Sequence, residues 1–99
     1  MARTFVVEPE AEAEIGKIAD WYNQRNPVAR LGFFNAIDSA FDLIRRNPEQ
    51  YQIVYRGVRR ALVDGYPYAL FYTVNENQIV VASCFHTSRD PAAWRERLR

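Results

Sequence analysis

The first half of the chain carries apolar residues at helical spacing. Thr4–Val7 is a short run that favours a strand, and it stops before Pro9, which suits the first turn of a helix. The residues after Pro9 form one apolar stripe with spacings of four, three and four: Ala11, Ile15, Ile18 and Tyr22. This pattern predicts a first helix that ends near Arg25.

A second helix is predicted directly after the first. Asn26 is a suitable N-cap and Pro27 a suitable first-turn residue, while Asn47-Pro48 ends the helix near Arg46. Its apolar face is broad: Phe33, Phe34, Ala36, Ile37, Ala40, Phe41, Leu43 and Ile44. We therefore expect a helical hairpin packed on a sheet. A small sheet would leave part of this face for a partner protein.

The second half of the chain favours strands. It contains four runs rich in β-branched and aromatic residues: residues 51–56, 58–63, 68–74 and 78–85. Gly57 separates the first two runs, and the polar tip Asn75-Glu76-Asn77 joins the last two as a hairpin. The last run is apolar on both faces, as in a central strand that is covered on both sides.

A short C-terminal helix completes the predicted order. Asp90 is its expected N-cap, Pro91 its first residue and Trp94 its apolar anchor. The order β-α-α-β-β-β-β-α predicts an α+β fold, in which the helical hairpin packs on a small, mostly antiparallel twisted sheet. With 99 residues, we expect a single domain over residues 1–99.

Composition and charge narrow the class of protein. A hydrophobic fraction of 48% and a net charge of +1 are typical of a globular domain. They argue against a protein that coats nucleic acid or a membrane surface. Residues 1–50 carry six cations against eight acids, and residues 51–99 carry seven against four. Twelve of the 13 cations are Arg and only Lys17 is Lys. Nearly all the positive charge is therefore carried by guanidinium groups, which stay protonated, and not by amines whose pKa can be tuned.

The cysteine content and hydropathy indicate a compartment. Cys84 is the single cysteine, so an intrachain disulfide is excluded and a reducing cytoplasm is expected. The N-terminal residues lack the apolar run of a signal peptide, and no stretch approaches the roughly 18 apolar residues of a membrane span. We therefore expect a cytoplasmic protein without membrane contact.

Metal sites and nucleophilic sites have little support in the sequence. Only four side chains are local candidates for metal ligands: Asp64, Cys84, His86 and Asp90. Their spacing matches no zinc-binding motif. Cys84 and His86 share a strand face about 6–7 Å apart, which is too far for a catalytic pair. Ser83 and Ser88 have no evident base. We expect neither a metal nor a cofactor, and interpret Cys84 as a small buried apolar residue.

One cluster around the end of the last strand could carry a function. Its candidate binding residues are Arg59, Arg60, Tyr68, His86, Arg89, Asp90, Trp94 and Arg95. His86, the only histidine, could act as a general base or hold a phosphate beside Arg89. The alternative is structural, with His86 bonded to backbone and Arg89 and Asp90 ordering the turn. Arg59 and Arg60 are consecutive, so they should point to opposite faces of the sheet.

Three segments of the second half form a series that is typical of one family. They are YPYALFY at residues 66–72, IVVASCFH at residues 79–86 and RDPAAW at residues 89–94. Together with the helical segments at residues 7–22 and 33–51, they resemble the RelE/ParE superfamily of bacterial toxins, and its ParE-like branch of plasmid-stabilisation proteins in particular. The resemblance implies a type II toxin–antitoxin system, in which a cognate antitoxin neutralises the toxin in a heterotetramer or larger complex.

The resemblance implies two possible mechanisms. RelE-like toxins cut mRNA on the ribosome, whereas ParE-like toxins poison DNA gyrase and do not cut RNA. The cutting branch tends to carry basic or ionisable groups at the positions of Leu62, Ala69 and Trp94. The residues present here can neither neutralise a phosphate nor transfer a proton. We therefore predict a gyrase inhibitor rather than an enzyme.

Two alternatives remain open at this point. One is a ribosome-dependent or free RNase whose catalytic residues would be His86, Arg89 and Arg60. The other is a module that no longer poisons a target and serves only to bind the antitoxin or to regulate its own expression.

Overall fold

The computed structural model describes residues 3–98, and its helices and strands follow the predicted order. The strands are β1 (Thr4–Val7), β2 (Ile53–Tyr55), β3 (Val58–Leu62), β4 (Tyr68–Val74) and β5 (Gln78–His86). The helices are α1 (Pro9–Arg25), α2 (Pro27–Arg46) and α3 (Pro91–Arg97), and a single 3-10 turn follows α2 at Pro48–Gln50. The predicted α+β fold is confirmed.

The five strands form one sheet in the order β1-β5-β4-β3-β2. β1 is parallel to β5, and the other neighbouring pairs are antiparallel. A bulge in β5 falls at Ala82, because Phe71 lies opposite Ser83 while Tyr72 lies opposite Val81. The order makes β5, β4 and β3 the inner strands and leaves β1 and β2 at the two edges.

The two faces of the sheet are covered unequally. α1 and α2 pack on one face, where they enclose the larger part of the core. The most buried large side chains of this part are Phe33, Ile44, Leu70, Tyr72 and Val81. On the other face α3 contributes Trp94, which packs with Val58, Ala69 and Phe71. The remainder of this second face is open, and the candidate site lies there.

Local sequence signals set the helix ends. The Asn26 side chain accepts a hydrogen bond from the backbone N–H of Val28 at 2.9 Å, and the Asp90 side chain accepts one from Ala92 at 2.9 Å. Gly57 has a φ of 77° in the turn between β2 and β3, a backbone conformation that favours glycine. Both predicted caps and the predicted break at Gly57 are confirmed.

Three strands have bounds that differ from the prediction, and β3 ends one residue early, at Leu62. The run at residues 51–56 forms only the three-residue strand β2, because Tyr51 leaves the sheet and packs edge-on against Tyr72. β5 continues one residue beyond the predicted strand and includes His86. The longer β5 carries this histidine on the sheet itself.

The sheet does not cover the whole apolar surface of the helical hairpin. Four large apolar side chains of α1 and α2 remain exposed: Trp21, Val28, Leu31 and Leu43. Leu43 belongs to the broad apolar face predicted for α2 and lies on a flank that the small sheet leaves uncovered, as expected. Within residues 3–98, no helix has both the length and the apolarity required to cross a bilayer.

Candidate functional site

The open face of the sheet beside α3 forms a groove of about 650 Å³, which we name the arginine groove. Six of the candidate residues line it: Arg60, His86, Arg89, Asp90, Trp94 and Arg95. Eight further residues line it: Gln52, Ile53, Val54, Ala69, Phe71, Thr87, Ser88 and Pro91. The first three belong to β2 and its approach, and only the pairing of β2 with β3 brings them here.

Two of the three arginines of the arginine groove lie over aromatic rings. The guanidinium carbon of Arg89 is 5.0 Å from the centre of the Phe85 ring, and that of Arg95 is 5.3 Å from the Trp94 ring. Arg60, Arg89 and Arg95 form no salt bridge with any residue of the described part of the chain. The guanidinium N–H groups of these three arginines therefore remain available to an anionic or polar partner.

His86 lines the arginine groove and accepts hydrogen bonds from the turn that follows it. Its Nδ1 accepts the backbone N–H of Ser88 at 3.0 Å, and the Ser88 Oγ lies 2.8 Å from the same nitrogen. The expectation that Ser88 has no evident base is therefore wrong. The contact depends on the turn, which folds residue 88 back onto the end of β5. No carboxylate among residues 3–98 hydrogen-bonds this imidazole, so the orienting group of a catalytic triad is missing.

Arg59 and Arg60 point to opposite faces of the sheet, as predicted. Arg60 lines the arginine groove, whereas Arg59 lies on the hairpin face. The Nη1 of Arg59 donates to the carbonyl oxygens of Tyr51 at 2.6 Å and Glu49 at 3.1 Å. Arg59 therefore holds the segment between α2 and β2, and the structure does not bring it to the groove.

Tyr68 also lies outside the groove, on the hairpin side of His86. The two rings meet edge-on, with their centres 5.2 Å apart. Burial, and after it the neighbouring hydroxyl of Tyr22, raises the pKa of Tyr68 above its ordinary value. The phenol is therefore neutral near neutral pH and can donate a hydrogen bond, but it cannot act as a base.

Asp90 and Trp94 hold α3 in place. Asp90 caps the helix, and the Trp94 side chain stacks on Phe71 with ring centres 4.5 Å apart. Trp94 is only 8% exposed, so most of its indole belongs to the core. These two residues fix α3 beside the sheet and thereby position Arg95 at the groove.

β1 pairs only with the first part of β5. Beyond the end of β1, side chains instead of a strand bond the backbone of β5. Glu14 of α1 accepts a hydrogen bond from the backbone N–H of Cys84 at 3.1 Å, and Arg97 of α3 donates to the carbonyl oxygen of Ala82 at 2.6 Å. The two side chains form a salt bridge, with Arg97 Nε 3.5 Å from Glu14 Oε2. α1 and α3 are thus tied to the same strand, which the sequence did not indicate.

Cys84 is a buried core residue, as interpreted from the sequence. Its side chain is 2% exposed, and burial, followed by the nearby Glu14 carboxylate, raises the pKa of the thiol to about 12. The thiol is protonated at neutral pH and is no nucleophile. Within residues 3–98, no group of three or more His, Cys, Asp or Glu side chains is arranged to hold a metal ion.

Two of the three positions at which an RNA-cutting relative would carry ionisable groups lie on the open face, and the third lies at the end of β3 beside α2. Ala69 and Trp94 line the arginine groove, and Leu62 is 60% exposed at the end of β3. None of these side chains carries a titratable proton. The ionisable groups of the groove are therefore arginines, His86 and the capping carboxylate of Asp90.

Comparison with solved structures identifies the class of fold. The chain superposes on a structure described as "Chromosomal ParDE TA system from P. aeruginosa" with a TM-score of 0.77. The match covers 87% of this chain and 97% of that chain at 17% sequence identity, and at this identity it shows a shared fold.

The sequence assigns the family. The family described as "ParE toxin of type II toxin-antitoxin system, parDE" matches residues 5–91. The chain therefore belongs to the ParE toxin family, the toxin component of type II toxin–antitoxin systems, and the resemblance drawn from its motifs is confirmed. No curated protein sequence matches it.

Proposed function

We propose that this toxin arrests growth by binding and poisoning DNA gyrase, and that a cognate antitoxin neutralises it by binding it directly. The family match over residues 5–91 carries the proposal. The solved relative is described as a ParDE toxin–antitoxin system, which agrees with an antitoxin as partner. The toxin would act in the cytoplasm, as a single domain.

The chemistry of the arginine groove favours binding over cleavage. General acid–base catalysis needs groups that gain and lose a proton near neutral pH, and arginine does not. Leu62, Ala69 and Trp94 supply no such group in its vicinity. Arginine forks held over aromatic rings suit the recognition of carboxylates and polar backbone on a protein surface.

The proposal is tested by inducing the toxin in growing cells. We expect gyrase-dependent DNA cleavage complexes to accumulate and a DNA-damage response to follow, while transcripts stay intact. Purified toxin should produce the same complexes with purified gyrase. Rapid loss of translation with cut transcripts and unchanged supercoiling would contradict the proposal.

A matched pair of variants tests the role of the groove. Arg89→Gln combined with Arg95→Gln removes two exposed donor forks and leaves the core untouched, whereas Arg46→Gln changes an exposed arginine of α2 outside the groove. We expect the double variant to need about tenfold more protein for the same level of cleavage complexes, and the control to match the wild type. Equal potency of all three proteins would exclude the groove from target binding.

A second candidate function is supported by the contact between His86 and Ser88. The Ser88 Oγ lies 2.8 Å from His86 Nδ1 beside Arg60 and Arg89, so a base and anion-binding groups share one groove. An RNase centred on His86, Arg89 and Arg60 would hold the scissile phosphate with its arginines, and the imidazole would take the proton of a ribose hydroxyl once Nδ1 is released from Ser88.

The variant His86→Ala separates the two functions. Gyrase poisoning needs no proton transfer, so we expect toxicity to stay within about fivefold of the wild type. Ser88→Ala, which removes the hydroxyl of the pair, should behave in the same way. Complete loss of growth inhibition in His86→Ala, with an unchanged circular dichroism spectrum and urea midpoint, would favour the RNase.

The same induction experiment addresses the third possibility. A protein that binds its antitoxin but causes no growth arrest when produced alone would be an antitoxin-binding or autoregulatory module. Light scattering on the purified complex would show whether toxin and antitoxin form a heterotetramer or a larger assembly.

A further inference from the structure

Ser88 presents an exposed hydroxyl in the turn between β5 and α3. Its Oγ lies 2.8 Å from Nδ1 of His86, and its backbone N–H donates to the same nitrogen at 3.0 Å. A ring nitrogen that accepts an N–H carries no proton of its own, so the hydroxyl must also donate to Nδ1. The hydroxyl proton of Ser88 therefore points at a base, and the lone pairs of its oxygen are left for another atom.

Ser88 shares the arginine groove with three guanidinium groups. Arg60, Arg89 and Arg95 form no salt bridge with a residue of the described range. Among the described residues, Asp90 is the only carboxylate that lines the groove, so the arginines exceed it by two charges. A phosphoserine carries a charge of about −1.5 to −2 at neutral pH. One phosphate on Ser88 would thus cancel most of the positive charge of the groove.

The other hydroxyl side chains that could compete with Ser88 lack this setting. Thr87 also lines the groove, but no hydrogen bond within residues 3–98 joins its hydroxyl to a base. Ser83 is fully buried in the sheet. Ser39 is exposed on α2, outside the arginine groove. The combination of exposure, a base and unpaired arginines therefore singles out Ser88.

We propose that Ser88 is a phosphorylation site and that its phosphate inactivates the toxin by occupying the arginine groove. A protein kinase would supply the phosphoryl group from a nucleoside triphosphate. The Ser88 Oγ forms a bond to the γ-phosphorus, the bond from that phosphorus to the bridging oxygen breaks, and the nucleoside diphosphate leaves. The hydroxyl proton passes to His86 Nδ1 and from there to solvent. The inference rests on the proposed function, in which this groove binds the target.

The phosphate would block the groove in two ways. Arginine binds phosphate through pairs of parallel N–H···O bonds, so Arg60, Arg89 and Arg95 would donate to the phosphate oxygens and no longer to the carboxylates of a target. The loss of net positive charge would also remove the attraction that steers an anionic surface to the groove. A single modification thereby acts on all three arginines at once.

The effect on potency is tested with toxin that is phosphorylated at Ser88, made by inserting phosphoserine during translation. A matched control protein is phosphorylated at Ser39. We expect the phosphate on Ser88 to raise the toxin concentration needed for gyrase cleavage complexes about 30-fold or more, and the phosphate on Ser39 to change it less than about threefold. Phosphatase treatment should restore potency, which shows that the fold is intact. Unchanged potency after phosphorylation of Ser88 would overturn the inference.

The position of the phosphate is tested by phosphorus NMR, without gyrase. Neighbouring arginines favour the dianion, so the phosphate on Ser88 should lose its second proton at a lower pH than the phosphate on Ser39. We expect a difference of about 0.5 in pH or more, and a smaller one in the protein with Arg89→Gln and Arg95→Gln. Identical titration of the two phosphates would show that the Ser88 phosphate lies outside the groove, against the inference.

Modification in cells is tested by mass spectrometry of the toxin isolated together with its antitoxin from the native host. We expect phosphate on Ser88 in the wild type and none on the Ser88→Ala protein isolated in the same way. Phosphate on Thr87 or Ser39 instead, or no phosphate in either growing or stationary cells, would refute the assignment.

The outcomes separate this inference from the function on which it rests. If unmodified toxin forms no cleavage complexes with gyrase, the proposed function fails, while the NMR titration and the mass spectra still decide whether Ser88 is modified and where its phosphate lies. If unmodified toxin poisons gyrase and toxin phosphorylated at Ser88 does so equally well, the proposed function stands and this inference alone fails.

Discussion

At the scale of single residues, neighbours in the sequence have different tasks in this protein. Arg60 faces the open groove, while Arg59 donates to the carbonyl oxygens of Glu49 and Tyr51 on the other face. Alternation along a strand predicts this separation. It does not predict which of the two faces the groove, because that depends on where the helical hairpin packs.

Tyr72 provides a test of the core at this scale. It is fully buried, and its hydroxyl donates a hydrogen bond to the carbonyl oxygen of Pro48. We expect Tyr72→Phe to lower the free energy of unfolding at pH 7 by about 1–3 kcal/mol, because the Pro48 carbonyl loses its partner. Urea unfolding of both proteins measures the difference, and equal midpoints would contradict the expectation.

The same substitution changes the response of stability to alkaline pH. Burial raises the pKa of Tyr72 to about 12 against an ordinary value of 10, and only the nearby Arg59 acts in the opposite direction. The unfolded chain therefore loses this proton first, and stability falls as pH rises from about 10 towards 12. We expect Tyr72→Phe to lose less stability than the wild type between pH 9 and pH 11, as measured by urea unfolding at each pH. An unchanged difference between the two proteins would contradict this.

At the scale of elements, α3 depends on tertiary contacts. A seven-residue helix is too short to be stable alone in water, so its position rests on the Asp90 cap, the Trp94 contacts and the Arg97 bonds. From the sequence, Trp94 was predicted both to anchor this helix and to take part in partner binding. Its burial and its stacking on Phe71 give it a structural role in holding α3.

The two tryptophans form a matched pair for testing this role. We expect Trp94→Ala to cost about 3–5 kcal/mol of unfolding free energy, because it removes a buried ring from between α3 and the sheet. Trp21 is 47% exposed on α1 with Arg25 stacked on it, so Trp21→Ala should cost less than about 1 kcal/mol. Urea unfolding measures both values. Similar costs for the two variants would refute a structural role for Trp94.

The elements themselves were well predicted, because their signals are local. Asn26 and Asp90 cap helices in the structure as expected, and Gly57 adopts the positive φ of a tight turn. β2 is the exception, since Tyr51 leaves the strand to pack on Tyr72. That contact joins residues that are distant in the sequence, so no local pattern predicts it.

At the scale of the whole molecule, the fold places the acidic residues of the first half and the basic residues of the second half on different surfaces. The acidic first half builds the helical hairpin, where Glu12 and Asp38 flank an apolar groove. The basic second half builds the sheet and α3, where Arg60, Arg89 and Arg95 gather in another groove. A net charge of +1 thus conceals two surfaces that favour partners of opposite charge.

The sequence by itself determined the order of elements, the helix caps and the family, because spacing, capping residues and motif order are local or linear properties. Only the tertiary structure decided which candidates share a surface. Strand order brings Arg60 to the groove of His86 and Arg89, and the turn after β5 brings Ser88 onto His86. These relations depend on contacts between distant segments, which composition and periodicity do not specify.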